Sequence, residues 1–312
     1  MPGGEVRVVP EARPMSYYGR PIIKRPVWKW WIPAYFFSGG LAAGSSALAL
    51  GAQLSGRSML RRRARVVSLV GITFGAVCLV ADLGRPSRFH HMLRVAKPTS
   101  PMSVGSWLLA VYGPAAGAAA MSDVLAVLPR SGDAAAVVAA ALSPAVATYT
   151  AALVSDTAVP AWHDAATTLP ALFGSGAVAS AGAVAVMVTP VAEAGPARRM
   201  AVAGAVAELS AAKVMEDGLG DLVGRPYREG AAGRLSTTSK QMTAAGAAVI
   251  ALLGRRRWAA VLGGASVVAG AALSRFAVFH AGMQSAADPS YTVAPQRARV
   301  AERQSKIGLG RS

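Results

Sequence analysis

The sequence predicts an all-α integral membrane protein with eight transmembrane helices in two four-helix bundles and both termini on the same side. Three observations carry this. Hydrophobic residues make up 53% of the chain and charged residues only 15%, whereas a soluble domain carries about 25% charged residues. The charges gather in short clusters between long apolar runs, which is the pattern of a polytopic membrane protein. These runs number eight, and an even number returns the chain to the face it started from.

Composition also narrows the chemistry. The formal charge of +17 does not point to nucleic acid, because no nucleic-acid motif accompanies the cations. They sit at the ends of apolar spans, where anionic lipid attracts them. The single cysteine, Cys78, lies inside an apolar run. It excludes a disulfide framework and any cysteine-held metal or iron–sulfur cluster within the chain. Residues 1–31 contain no short apolar core with a cleavage site, so no removable signal peptide is expected.

Residues 1–31 read as a polar, basic tail, with Arg13, Arg20, Lys24, Arg25 and Lys29 leading to an aromatic and cationic cluster, Trp28-Lys29-Trp30-Trp31. Such clusters sit at headgroup level. The membrane domain is expected over 32–282 and a polar tail over 283–312. Span one, 32–54, places Gly40, Gly44, Ala47 and Gly51 on one face, smooth enough for a helix or a ligand to approach the backbone. Arg57 and Arg61 to Arg65 are read as the first turn-around, followed by span two, 66–83. Span three, 104–128, carries Asp123 near its far end, and span four, 134–156, carries Tyr149-Thr150 near its exit. Spans five to eight are expected at 170–190, 197–215, 241–254 and 257–282. The seventh is short for a ~30 Å core, so its start is expected earlier, near Leu235. Nineteen Lys and Arg fall on the terminal side and eleven on the other, which favours cytoplasmic termini.

The chain is organised around the stretch from Asp82 to Trp107. It is long, stiffened by Pro86, Pro98 and Pro101, and combines an acid, four cations and two of the four histidines. It reads either as a basic interfacial loop touching lipid headgroups or as a cap over a pocket between helices. All four histidines (His90, His91, His163, His280) fall on the terminal side. A transmembrane haem needs histidines projecting inward from helices, so no haem is expected. Trp28, Trp30, Trp31, Trp107 and Trp162 share that side, leaving only Trp258 opposite; this surplus suggests a docking surface or an aromatic-walled pocket. Glu208 and Arg275 lie roughly 10 Å inside the bilayer region at 1.5 Å per residue, where charge is expensive and usually functional. They read either as a structural ion pair or as part of a proton route.

The motifs resemble a known family. Tyr17-Tyr18-Gly19-Arg20-Pro21 with Ile32 to Gly40 (IPAYFFSGG), Asp82-Leu83-Gly84-Arg85-Pro86 through Lys97-Pro98-Thr99-Ser100-Pro101-Met102-Ser103, Tyr149-Thr150, Pro160 with Trp162, and Asp288 to Val293 (DPSYTV) are similar to the NrfD-like, polysulfide-reductase-type membrane subunits. The resemblance implies an eight-helix quinone-binding anchor in a bacterial inner membrane, without its own redox metal. It further implies electron exchange with an iron–sulfur (ferredoxin-like) subunit next to a molybdopterin catalytic subunit of formate-dehydrogenase or polysulfide-reductase type, with menaquinone as the quinone. Carried over, the family's pocket tyrosine falls on Tyr149, the polar end of the second helix on Asp82 and Arg85, and the first-helix entrance on Trp31 to Tyr35. Thr150-Ala151 stands where the family often has Thr-Gly, and His280 where related sequences tend to carry an acid.

Quinone reduction takes two protons as well as two electrons, so the site needs donors to the carbonyls, a proton relay and a small-residue surface for ring and tail. The candidate quinone-binding residues are Trp31, Tyr35, Gly40, Asp82, Arg85, His90, Trp107, Tyr149 and His163, with Glu208 and Arg275 as a proton route. No catalytic or metal-ligating residue is assigned within the chain. Two other functions compete: a secondary transporter or channel lined by Glu208 and Arg275, and a passive anchor without quinone chemistry. A weak echo between Asp82-Leu83-Gly84-Arg85-Pro86 and Asp221 to Pro226 (DLVGRP) suggests at most a parallel repeat, not the inverted repeats common in transporters.

Overall fold

In a computed structural model the described residues are 21–297. The tail motif Tyr17 to Arg20, the cation Arg13 and the end of the C-terminal tail lie outside them. Among the described residues there are eight long helices and no strands: α1 (Trp31–Leu54), α2 (Ser58–Asp82), α3 (Pro101–Leu125), α4 (Pro129–Ser155), α5 (Leu169–Val188), α6 (Gly195–Gly218), α7 (Gly230–Leu253) and α8 (Arg257–Ala287). Short helical turns at Pro86–Leu93, Pro160–His163, Gly220–Val223 and Arg225–Arg228 fill the connections.

Five helices, α2, α3, α4, α5 and α8, are long and apolar enough to cross a membrane. The other three differ by composition. α1 has no charged residue but is diluted by Gly and Ser; α6 carries Arg198, Arg199, Glu208, Lys213, Glu216 and Asp217; α7 carries Arg234 and Lys240.

Local chemistry sets the boundaries. Pro101 and Pro129 begin α3 and α4, where the missing N–H has no intrahelical partner to lose. Gly56, at φ +66°, turns the chain between α1 and α2, a left-handed conformation suited to glycine. Pro144 lies inside α4 and cannot donate to the Ala140 carbonyl; the Ser143 hydroxyl donates to it instead at 2.7 Å. In an apolar environment such substitution keeps a proline-containing helix intact.

Two expectations shift. α2 begins at Ser58, so Arg61 to Arg65 lie in the helix and not in a turn. Arginine is a good helix former, and Arg65 is held inside by carboxylates from the neighbouring helices: it is 2% exposed and reaches Asp123 at 3.1 Å and Asp133 at 2.7 Å. α7 begins at Gly230, earlier than Leu235, directly after a break in which Gly230 takes φ +69°.

The helix contacts repeat. α1 packs on α2 and α4, and α3 on α2 and α4; in the second half α5 packs on α6 and α8, and α7 on α6 and α8. α1 joins the halves by packing on α5 and α8, and α4 also meets α5. The α1–α5 contact explains the small-residue face of the first span. A Cβ at Gly40 would lie 3.3 Å from the Ala177 Cβ, and one at Gly44 would overlap the Ala177 carbonyl. That face receives a helix, as close backbone approach between membrane helices requires.

Candidate functional site

At the end of the first half where α1 starts and α2 ends, a cavity of about 300 Å³ opens among α1 to α4, within the ~300–1,000 Å³ typical of ligand pockets. Tyr35 and Phe36 come from α1, Leu79 and Asp82 from α2, Gly105 and Leu109 from α3, and Tyr149 and Leu153 from α4. The connection after α2 lays Phe89, Met92 and Leu93 over it, and Trp28 closes it from the N-terminal side. α2 and α3 meet least closely of the adjacent helices in this half, and the lining residues Ala76 and Met102 on that seam are exposed.

The polar groups are few and converge. The Tyr35 and Tyr149 hydroxyls hydrogen-bond to each other, with their rings tilted at 6.4 Å between centroids. Tyr35 is 1% exposed. Glycines make room for both rings: a Cβ at Gly75 would stand 2.9 Å from Tyr35 Cδ2, and one at Gly105 would overlap the Tyr149 ring. Asp82 accepts a hydrogen bond from the Lys29 backbone N–H at 3.0 Å, which fastens the incoming chain to the end of α2 at the cavity mouth. Trp28 stacks on the fully buried Trp162 at 5.7 Å. Trp162 in turn donates its indole N–H to the Val278 carbonyl at 2.7 Å, so α8 anchors this wall of the cavity.

Of the sequence candidates, the structure brings Tyr35, Asp82 and Tyr149 together. Trp31 packs beside them, partly buried against the same core and stacked on Trp30 at 3.8 Å. The others lie elsewhere. Gly40 faces α5. Arg85 and His90 are exposed in the connection after α2, and His90 packs edge-on against His91 at 4.5 Å. Trp107 is exposed on α3, with its indole N–H directed at the Val95 carbonyl at 3.4 Å. His163 is exposed, its Nδ1 3.1 Å from the Ser155 carbonyl, and His280 is exposed on α8. Phe89, Met92 and Leu93, which do line the cavity, have the i, i+3, i+4 spacing of one apolar helical face, a signal masked by the charges around them. Gly75 and Gly105 carried no signal among the chain's 33 glycines.

Glu208 and Arg275 meet in the second half. They are 4% and 2% exposed, with Arg275 Nη1 3.3 Å from Glu208 Oε1. Arg275 also donates to the Phe173 carbonyl at 2.9 Å and lies over the Phe173 ring at 4.4 Å. Glu208 Oε2 has no hydrogen-bond partner among the described residues. A water-sized cavity of about 20 Å³ is lined by Glu208, Thr243, Ser274, Glu216, Lys240 and Tyr227. It occupies the place in the second half that the larger cavity occupies in the first. Glu216 is bound by Lys240 at 2.8 Å and by the Ser236 hydroxyl at 3.1 Å. Burial, with Glu216 nearby, pushes the Tyr227 hydroxyl well above the ordinary tyrosine range, so it stays protonated and donates to the Ala161 carbonyl at 3.2 Å.

Compared with known families, residues 22–223 match the family model described as polysulphide reductase, NrfD. The match spans well over half of the chain and includes every helix that lines the larger cavity. No curated protein matches the chain.

Proposed function

The chain belongs to the polysulphide reductase NrfD family, membrane subunits of quinone-linked oxidoreductases, and from that premise we propose that the cavity among α1 to α4 is its quinone site. In this reading all eight helices cross the membrane as two four-helix bundles, with cytoplasmic termini in a bacterial inner membrane. The larger cavity then lies at the face where a ferredoxin-like iron–sulfur subunit docks, itself serving a molybdopterin catalytic subunit. The observation that carries the proposal is the pair of tyrosine hydroxyls inside a mostly apolar chamber of headgroup size, with Asp82 at its mouth.

The residues fit a quinone ring. Phe36, Leu79 and Leu109 supply apolar walls, and the α2–α3 seam offers a way in from lipid for a menaquinone tail. A quinone held there supplies a two-electron, two-proton couple at its carbonyl oxygens. Tyr149 can donate a hydrogen bond to a carbonyl without carrying charge into an apolar chamber. Tyr35, bonded to Tyr149, fixes the direction of that hydroxyl. Asp82, at the mouth, is held by the Lys29 backbone N–H where the cavity opens to the interface. Phe89, Met92 and Leu93 limit the entry of water. The Glu208–Arg275 pair, beside its own small cavity, is proposed as a separate polar route through the second half.

Tyr149→Phe is expected to lower quinone-dependent turnover of the assembled complex about tenfold, the loss of one hydrogen bond of about 1.4 kcal/mol. Turnover with an artificial dye at the catalytic subunit should be unchanged. His163→Ala, outside the cavity, should leave both rates intact. Unchanged quinone turnover in Tyr149→Phe would remove the tyrosine from the site.

A further inference from the structure

At the opposite end of the first half, the arginine cluster divides into two sets. Arg61 and Arg65 turn inward: Arg61 meets Asp123 at 3.1 Å, and Arg65 meets Asp123, Asp133 and the Gln53 side chain at 3.1, 2.7 and 2.8 Å. Arg62 and Arg63 have no hydrogen bond or ion pair among the described residues, and Arg62 is exposed. The nearest carboxylate of the neighbouring connection, Glu193, is engaged by the backbone N–H groups of Met59 and Leu60 at 3.1 and 3.3 Å. The two free guanidinium groups stand at the head of a groove of about 410 Å³, whose remaining walls are Met59, Val66 and Val67 of α2 and Val188 of α5. Below it the same stripe of α2 continues as Val70, Phe74 and Val77, which are 61%, 47% and 56% exposed. From Arg63 to Val77 this track is about 21 Å long at 1.5 Å per residue, more than half of a ~30 Å hydrocarbon core.

We propose that this groove is a binding site for one anionic diacyl phospholipid, seated between α2 and α5 where the two halves of the chain meet. Its phosphate takes the place of the missing carboxylate at Arg62 and Arg63, since guanidinium groups pair with phosphate oxygens in a fixed, bidentate geometry. One acyl chain lies along the valine–phenylalanine stripe. The charge and the track together select the occupant. A free phosphate satisfies the arginines and leaves the apolar track bare, and a neutral phospholipid brings a cation of its own to a site that already holds two. The site also accounts for a cationic cluster on the face that the Lys and Arg count makes the poorer one.

The test is native mass spectrometry of the full chain, purified and exchanged into detergent with equal amounts of phosphatidylglycerol and phosphatidylcholine. One phosphatidylglycerol per chain is expected to survive delipidation, retained at least tenfold over phosphatidylcholine. Inorganic phosphate at millimolar concentration should not displace it. The double variant Arg62→Gln/Arg63→Gln should lose that retention at least tenfold, while Arg130→Gln, outside the groove, keeps it. Equal retention of the two lipids, displacement by phosphate alone, or full retention in the folded double variant would each overturn the proposal. The lipid competition on the unmodified chain needs no variant to fold.

Discussion

Arg275→Leu is expected to lower the stability of the chain by about 3–5 kcal/mol, the cost of leaving one partner of a buried pair uncompensated. Arg275 is 2% exposed and its guanidinium serves four partners: the Glu208 carboxylate, the Ser274 hydroxyl, the Phe173 carbonyl and the Phe173 ring. The surroundings are shaped for it, because a Cβ at Gly176 would crowd Arg275 and Glu208 together. Removing it strands a buried carboxylate whose second oxygen has no hydrogen-bond partner among the described residues. Replacing both residues, Glu208→Leu with Arg275→Leu, removes both charges, and most of the stability should return because apolar replacement of a whole buried pair is often neutral. Thermal unfolding of the detergent-solubilised chain measures all three proteins. If the double variant is no more stable than Arg275→Leu, the pair is not the unit that matters. The same double variant separates the two roles of the pair. Full quinone turnover in the folded complex assigns it to structure alone, and lost quinone turnover with intact dye turnover assigns it to a proton route.

Gly105→Ala is expected to abolish most quinone-dependent turnover, a larger loss than Tyr149→Phe. One methyl group there would overlap the Tyr149 ring, so the ring must swing, breaking its hydroxyl contact with Tyr35 and filling the space the quinone needs. Protein interiors do not absorb such an overlap without cost, and overpacking typically costs about 1–3 kcal/mol. The control is Gly113→Ala on the same helix, where an added Cβ meets nothing within 4 Å. There the gain in helix propensity, about 1 kcal/mol, should act alone. Equal quinone turnover in the two variants, measured beside dye turnover, would show that the Tyr149 ring position does not govern the site.

What could be read in advance follows from which properties a linear pattern encodes. Apolar run length and charge placement located all eight long helices, because both are patterns along one dimension. The shared end of the bundle was legible too: Tyr35, Asp82 and Tyr149 line one cavity at the end where α1 starts and α2 and α4 finish. The direction in which each side chain points was not. His90 and His163 stand in the connections after α2 and α4, on exposed surfaces, and Gly40 lies on the α5 side of α1. Azimuth depends on which helices pack together, and a strongly apolar helix has too weak a polar face to announce it. The start of α2 was missed for a related reason. Arg65 is read from sequence as interfacial, yet it is buried because Asp123 and Asp133, more than 50 residues away in sequence, reach it.

Photolabelling the assembled complex with an azido-quinone, and mapping the adducts by peptide mass spectrometry, tests whether the headgroup binds among α1 to α4. Saturable labelling, displaced by excess menaquinone, is expected on the segments carrying Tyr35, Leu79, Met102 and Tyr149. Saturable labelling confined to the second half, around Glu208 and Ser274, would contradict binding among α1 to α4.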